Sequence, residues 1–271
     1  MVVLLTDFGL YDPYVGQMKG VLYQNHPQAR IVDLGHEVIQ YNIAQAGFIL
    51  AASLQYFPSG SVFVAVVDPG VGSERGIVLA STRRAWILAP DNGLLDEILQ
   101  SGLIDKCYSF CGQWPASNTF HGRDIFAPLA AEIARENRVP EVFKPLDPGQ
   151  LIRPDPVRPK LSGSSLVCRV VHQDRYGNLI LDLEIENWQG RLQESKLELA
   201  GYDLIPASCY AEIPDGCLGL VPGSQGKLEV AAREKSARLL TGLGAGEKVV
   251  MSVNPFSSVG NNYQKTSICR G

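Results

Sequence analysis

Four short stretches of the chain place polar side chains beside glycine where apolar runs end: Thr6-Asp7-Phe8-Gly9, the loop from Asp68 to Arg75, Ala89-Pro90-Asp91-Asn92-Gly93, and Thr119-Phe120-His121-Gly122-Arg123-Asp124. Glycine lets backbone approach a ligand closely, and together the four read as one rim. The second stretch is the most informative. Val62 to Val67 is a continuous apolar run rich in β-branched residues, the pattern of a parallel strand covered on both faces. Asp68 therefore stands at the C-terminal end of a strand, which is the edge of an open α/β sheet where ligands bind. A guanidinium follows one flexible turn later at Arg75. Such a pair serves a ligand or closes a turn for structural reasons, and position alone leaves both readings open. The same holds for His121, a candidate acid, base or donor that a loop also accommodates as a satisfied side chain.

The elements that must position these groups follow from periodicity. In the first half, "MVVLLTDF", "RIVDLGH", "SVFVAVVD", "GIVLAST" and "AWILAPD" read as strands, and "YVGQMKGVLYQNH", "NIAQAGFILAASLQYF", "GLLDEILQSG" and "GRDIFAPLAAEIARE" read as helices. Repeated strand-helix-strand order predicts an α/β domain over residues 1–145 with a mostly parallel, helix-covered sheet. Prolines at 145, 148, 154, 156 and 159 bar regular helix or central strand and predict an extended connector over 146–162. From 163 to 271 short alternating strands and turn signals predict a small antiparallel β-barrel domain. The tail from Pro255 has little periodicity and reads as loosely held.

Composition narrows the partners. The 271 residues are 45% hydrophobic and 19% charged with a net charge of −4, an ordinary globular balance. No run of Lys or Arg supplies the electrostatic footprint of a nucleic-acid or membrane-surface protein, so neither partner is expected. The N-terminal apolar run stops at Thr6 with no basic segment before it, too short for a signal sequence or a membrane span, and a cytoplasmic location is expected. Six cysteines match no zinc spacing and are read as ordinary thiols.

The stretches "TDFG", "VVDPGVGSER", "APDNGLL", "TFHGRDIFAP" and "DRYGN" occur here in the order seen in the SAM hydroxide adenosyltransferases. The chain resembles this family of S-adenosyl-L-methionine hydrolases, related to the fluorinase and chlorinase, to about Val253. The resemblance implies cleavage of S-adenosylmethionine (SAM) by water to adenosine and methionine, with no cofactor and no metal. It also implies a homotrimer in which substrate lies between the N-terminal domain of one subunit and the C-terminal domain of its neighbour. The family's water-positioning Asp, Arg and His fall on Asp68, Arg75 and His121. Asp7 resembles the carboxylate that takes both ribose hydroxyls, Tyr41 lies near the aromatic that covers the ribose, and Asn178 resembles the residue that reads the adenine edge. Ser224 corresponds to a methionine-carboxylate contact, with Gln225 beside it where the halogenases carry Arg.

The chemistry suits these residue types. Attack at C5′ expels methionine as a neutral thioether, so no general acid is required, and a held, partly desolvated nucleophile is what the site must supply. A halide-using relative is the nearest alternative. The halogenases lack the acidic group at the Asp68 position, and a carboxylate beside a halide is repulsive. A second alternative is a non-catalytic SAM or nucleoside sensor, which would need only the binding residues.

Overall fold

The computed structural model describes residues 1–112, 116–154 and 158–255, and the chain divides into two compact units, Met1–Asp155 and Pro156–Gly271. The first is built from β1 (Val2–Thr6), α1 (Tyr14–Asn25), β2 (Ile31–Gly35), α2 (Ile43–Ser53), β3 (Ser61–Val66), β4 (Ile77–Thr82), β5 (Ala85–Pro90), α3 (Asp96–Gln100), β6 (Ile104–Phe110), α4 (Ala127–Glu136) and β7 (Phe143–Leu146). Its seven strands lie in the order β2-β1-β3-β5-β4-β6-β7. Strands β2, β1, β3 and β5 run parallel, whereas β4, β6 and β7 each run antiparallel to their neighbours. The sheet is thus mixed, and a tight turn explains where parallel order ends. Thr82 Oγ1 accepts from the N–H groups of Arg84 and Ala85 at 3.2 and 2.9 Å, which folds β4 directly back onto β5.

Every residue of β1 and of β3 is buried, as unbroken apolar runs require when helices cover both faces. On one face Met18 and Leu22 of α1 pack with Phe126, Leu129 and Ile133 around Val2, Leu4 and Val64. On the other, Ala46 and Leu50 of α2 pack with Leu94 and Ile98 around Val3, Phe63 and Ala65. Side chains of this size each contribute about 1.5–3 kcal/mol on burial, and both layers press on the two strands that end at Asp7 and Asp68.

The stretch expected to be an extended connector is partly structured. β7 pairs with β6 through Leu146; its Pro145 is tolerated because β7 is an edge strand, where a missing N–H breaks no central ladder. Asp147 then caps a short 3-10 turn at Pro148–Gln150 by accepting from Gly149 N–H at 2.9 Å, and Leu151 is buried in the core.

The second unit comprises β8 (Lys160–Ser162), β9 (Ser165–Gln173), β10 (Leu179–Glu184), α5 (Ile185–Gln193), β11 (Ser195–Leu199), β12 (Tyr202–Pro206), β13 (Leu218–Pro222), β14 (Lys227–Ala232), α6 (Ala237–Thr241) and β15 (Lys248–Pro255). The order β10-β14-β13-β12-β11-β15-β9 closes through pairing of β9 with β10, and β8 adds outside the ring beside β9. The barrel is antiparallel except at β12 and β13, which run parallel. Alternating burial along β11 and β15 points Leu197, Leu199, Val249 and Met251 inward. Cys107, Cys111, Cys168 and Cys209 are free thiols, and Cys269 lies outside the described residues. The tail after Pro255 lies outside the described residues.

Candidate active site

The C-terminal ends of β1 and β3 deliver Asp7 and, one residue past Val67, Asp68. From Asp68 the chain turns tightly. Val71 N–H donates to Asp68 O at 3.3 Å, and Ser73 donates to Gly70 O from both its N–H (3.1 Å) and its hydroxyl (2.6 Å). Gly72 has φ +80°, and a side chain there would overlap the carbonyl of Asn118. That close approach lays the loop against the segment leading to His121. Arg75 Nε donates to Asp68 Oδ1 and Oδ2 at 3.0 and 2.8 Å, and Arg75 Nη2 also donates to Oδ2. The two side chains are 8% and 4% exposed.

Arg75 Nη2 lies 3.0 Å from His121 Nδ1. A guanidinium has only donors, so Nδ1 accepts, and the neutral imidazole carries its proton on Nε2. Burial first, and the Arg75 cation second, hold the imidazole below its ordinary pKa, against the opposing pull of Asp68 and Asp124. His121 leads into a π-helical turn, Gly122–Phe126, that continues as α4, a local widening often found at functional positions. At Gly122 the packing is tight: a Cβ would sit 3.2–3.3 Å from Phe120, Met18 Sδ and Phe8, and those side chains would have to give way. The Arg75 guanidinium also lies over the Phe126 ring at 5.8 Å.

Asp7, Tyr41, Asp68 and His121 line one cleft of about 290 Å³. Asp7 Oδ2 accepts from the N–H of Tyr41 at 2.9 Å, and Tyr41 takes φ +65°, a conformation uncommon outside glycine. The carboxylate thereby fixes a residue that is 69% exposed. Phe8, Tyr14 and Phe120 form an edge-to-face aromatic wall, with centroids 5.1–6.0 Å apart. Asp12 and Gln40 also line the cleft. Sequence reading did not single them out, although Asp12 follows closely on the "TDFG" turn. Of the four stretches read as one rim, Ala89–Gly93 does not line the cleft; it lies behind the Asp68 loop.

Asn178 belongs to a separate pocket of about 580 Å³ in the second unit, with Asp174, Tyr176, Tyr210 and Ser236. Its amide donates to Asp174 Oδ2 and its N–H to Asp174 Oδ1, both at 2.8 Å, which fixes the side chain's direction. Tyr210 donates to Glu229 Oε2 at 2.7 Å. Burial raises the pKa of both, and the Glu229 carboxylate pushes the phenol up further. Ser224 and Gln225 sit at the exposed tip of the β13–β14 hairpin, outside the residues lining this pocket.

The family model of the SAM hydroxide adenosyltransferase N-terminal domain matches residues 2–143, and that of the C-terminal domain matches residues 168–250. The chain belongs to the SAM hydroxide adenosyltransferase family. It is 35% identical to a Thermus thermophilus protein named (R)-S-adenosyl-L-methionine hydrolase, covering 92% of this chain and 98% of that one. It is 33% identical to a protein of the same name from Salinispora arenicola, covering 90% and 94%. A fluorinase from Actinopolyspora mzabensis is 23% identical over 69% of this chain and 72% of its own. Among solved structures, a Thermotoga maritima protein superposes with a TM-score of 0.83 at 26% identity, covering 93% of this chain and 100% of that one.

The cleft presents the Asp68 carboxylate and the His121 imidazole, both held from behind by Arg75, together with the Asp7 carboxylate and aromatic rings. Such a set can hold a small polar nucleophile beside a nucleoside. Among the described residues no group of three or more His, Cys, Asp and Glu is placed to hold a metal ion, and no helix is long and apolar enough to cross a membrane.

Proposed function

We propose that this chain hydrolyses S-adenosyl-L-methionine to adenosine and L-methionine, taking the (R)-sulfonium epimer for which its relatives are named. The observation that carries the mechanism is the hydrogen-bonded Asp68, Arg75 and His121 cluster, whose Asp68 and His121 line the cleft. Water attacks C5′ of the ribose, a C–O bond forms, and the C5′–S bond breaks with its electron pair passing to sulfur. Methionine leaves as a neutral thioether, and one proton is released overall. Asp68 accepts a hydrogen bond from the water and its charge favours the sulfonium, while Arg75 locks His121 as an Nε2–H donor that supports hydroxide-like character at the oxygen. The water loses mobility before reaction, and positioning of this kind is worth roughly 7–11 kcal/mol in well-oriented cases.

Asp7 and Tyr41 hold the ribose, Asn178 reads the adenine edge, and Ser224 and Gln225 meet the methionine carboxylate. The assembly is a homotrimer in which the Asp7 cleft of one subunit and the Asn178 pocket of its neighbour serve one substrate. Exposed apolar residues near each pocket support this, Leu10 and Tyr11 near the first, Tyr176 and Leu239 near the second. The protein acts in the cytoplasm.

The test is chromatographic analysis of SAM incubated with purified protein, using resolved sulfonium epimers and added chloride. Adenosine and methionine from the (R) epimer, with no 5′-halo product, are the expected result. Binding without turnover would instead leave a sensor.

A further inference from the structure

Asp91 and Asn92 stand outside the cleft, yet both ends of the loop that carries Asp68 and Arg75 are tied to them. The Asn92 side-chain amide donates to the carbonyl of Val67 at 2.9 Å, the peptide group immediately before Asp68. The backbone N–H of Asp91 donates to the carbonyl of Gly76 at 2.9 Å, in the second peptide group after Arg75. The other end of the Asn92 amide is engaged too, since Oδ1 accepts from Leu94 N–H at 3.3 Å, and Leu94 is fully buried. The amide therefore spans the buried core layer and the root of the Asp68 loop. Rotating it would give up both bonds.

We propose that Asn92 is a positioning residue for the hydrolysis, acting through Val67 on Asp68 and thence on Arg75 and His121. This rests on the hydrolase reading above. The Asp68 carboxylate has little freedom of its own, being 4% exposed and gripped by Arg75, so its place follows the backbone that carries it. Moving the Val67 carbonyl moves the Asp68 Cα, and Arg75 Nη2 transmits the shift to His121 Nδ1. Misplacement of a reacting group by about 1 Å can cost on the order of 10²-fold in rate. The Asp91 tie runs through backbone, so side-chain substitution does not remove it; the Asn92 tie is the one that mutation can cut.

Asn92→Asp is nearly isosteric. It keeps an acceptor for Leu94 N–H and replaces the donor to Val67 with a second acceptor. Asn92→Ala removes both bonds. Single-turnover adenosine release at saturating SAM and calorimetric adenosine affinity are measured for both variants beside the parent, with thermal unfolding to confirm folding. A rate about tenfold lower or more in Asn92→Asp, with adenosine affinity within about twofold, is the expected result. Should Asn92→Ala fail to fold, Asn92→Asp carries the test. A parent-like rate in Asn92→Asp overturns the proposal, and so does an adenosine affinity that falls in step with the rate, which marks general damage to the unit. A parent that releases no adenosine from SAM sinks the hydrolase reading instead, so the two failures are told apart.

Discussion

At the scale of single residues, the charge on His121 is set by what surrounds it. Burial and the Arg75 guanidinium depress its pKa, and Arg75 needs Nδ1 as an acceptor, so protonation would both place a half-buried charge beside the Arg75 cation and set two donors against each other. The single-turnover rate is therefore expected to stay level as pH falls through about 6.5, the ordinary histidine value, and to drop only below it. The sign for stability follows from linkage. The folded pKa lies below the unfolded one, so the unfolded chain takes up the proton first, and stability is lost as pH falls from about 6.5 to the folded value. An NMR titration of His121 checks both. A midpoint above 6.5 would contradict them, and Arg75→Met is expected to raise the midpoint, because the Arg75 cation no longer adds to burial while Asp68 and Asp124 still pull upward. Asp68 is tested by Asp68→Asn, which keeps shape and removes charge. Hydrolysis is expected to fall by roughly 10² or more, the scale for losing a positioned acid or base group, with a much smaller change in adenosine affinity. Asp7→Ala should show the reverse pattern, and calorimetry beside adenosine release separates the two.

At the scale of elements, the loop between β3 and β4 works only if it can lie against Asn118. Gly72 permits that through φ +80° and the absence of a side chain. Gly72→Ala adds both left-handed strain and a clash with backbone that cannot move aside, so a stability loss of about 1–3 kcal/mol is expected, together with a lower hydrolysis rate as Asp68 and Arg75 are displaced. Urea unfolding and adenosine release measure the two. The strand feeding this loop was legible in the sequence, because an unbroken apolar run from Val62 to Val67 has to be buried on both faces and has to stop at Asp68. Alternation along β11 and β15 was legible for the same kind of reason. The "DNG" stretch was readable as a turn, but not as the root of the loop, since the Asn92 bond to Val67 spans 25 residues and leaves no local pattern. β6 escaped notice because only Cys107 is fully buried along it, too weak an alternation to register. β7 was not legible because Pro145 speaks only against a central strand, and β7 is an edge strand.

At the scale of the whole molecule, Asp7 and Asn178 lie in different units, in separate pockets. The proposed trimer joins the two halves of the site across a subunit boundary. Two substitutions distinguish that arrangement from sites made within one chain. Asp7→Ala spoils every ribose half, and Asn178→Ala every adenine half, so each variant alone is expected to show strongly reduced turnover at low SAM. If each site takes its halves from neighbouring subunits, coexpressed variants form mixed trimers. A site is then intact wherever an Asn178→Ala subunit supplies the Asp7 half and an Asp7→Ala subunit the Asn178 half. Every closed ring of three that holds both variants contains one such site among its three, so mixed trimers purified on two different tags should recover about a third of parental turnover. If both halves come from one chain, every site in every mixture carries one defect and nothing is recovered. Sedimentation of the parent at assay concentration completes the test. A stable, fully active monomer would refute the trimer, whereas a trimer whose mixed forms recover no activity would keep the assembly and reject the shared site.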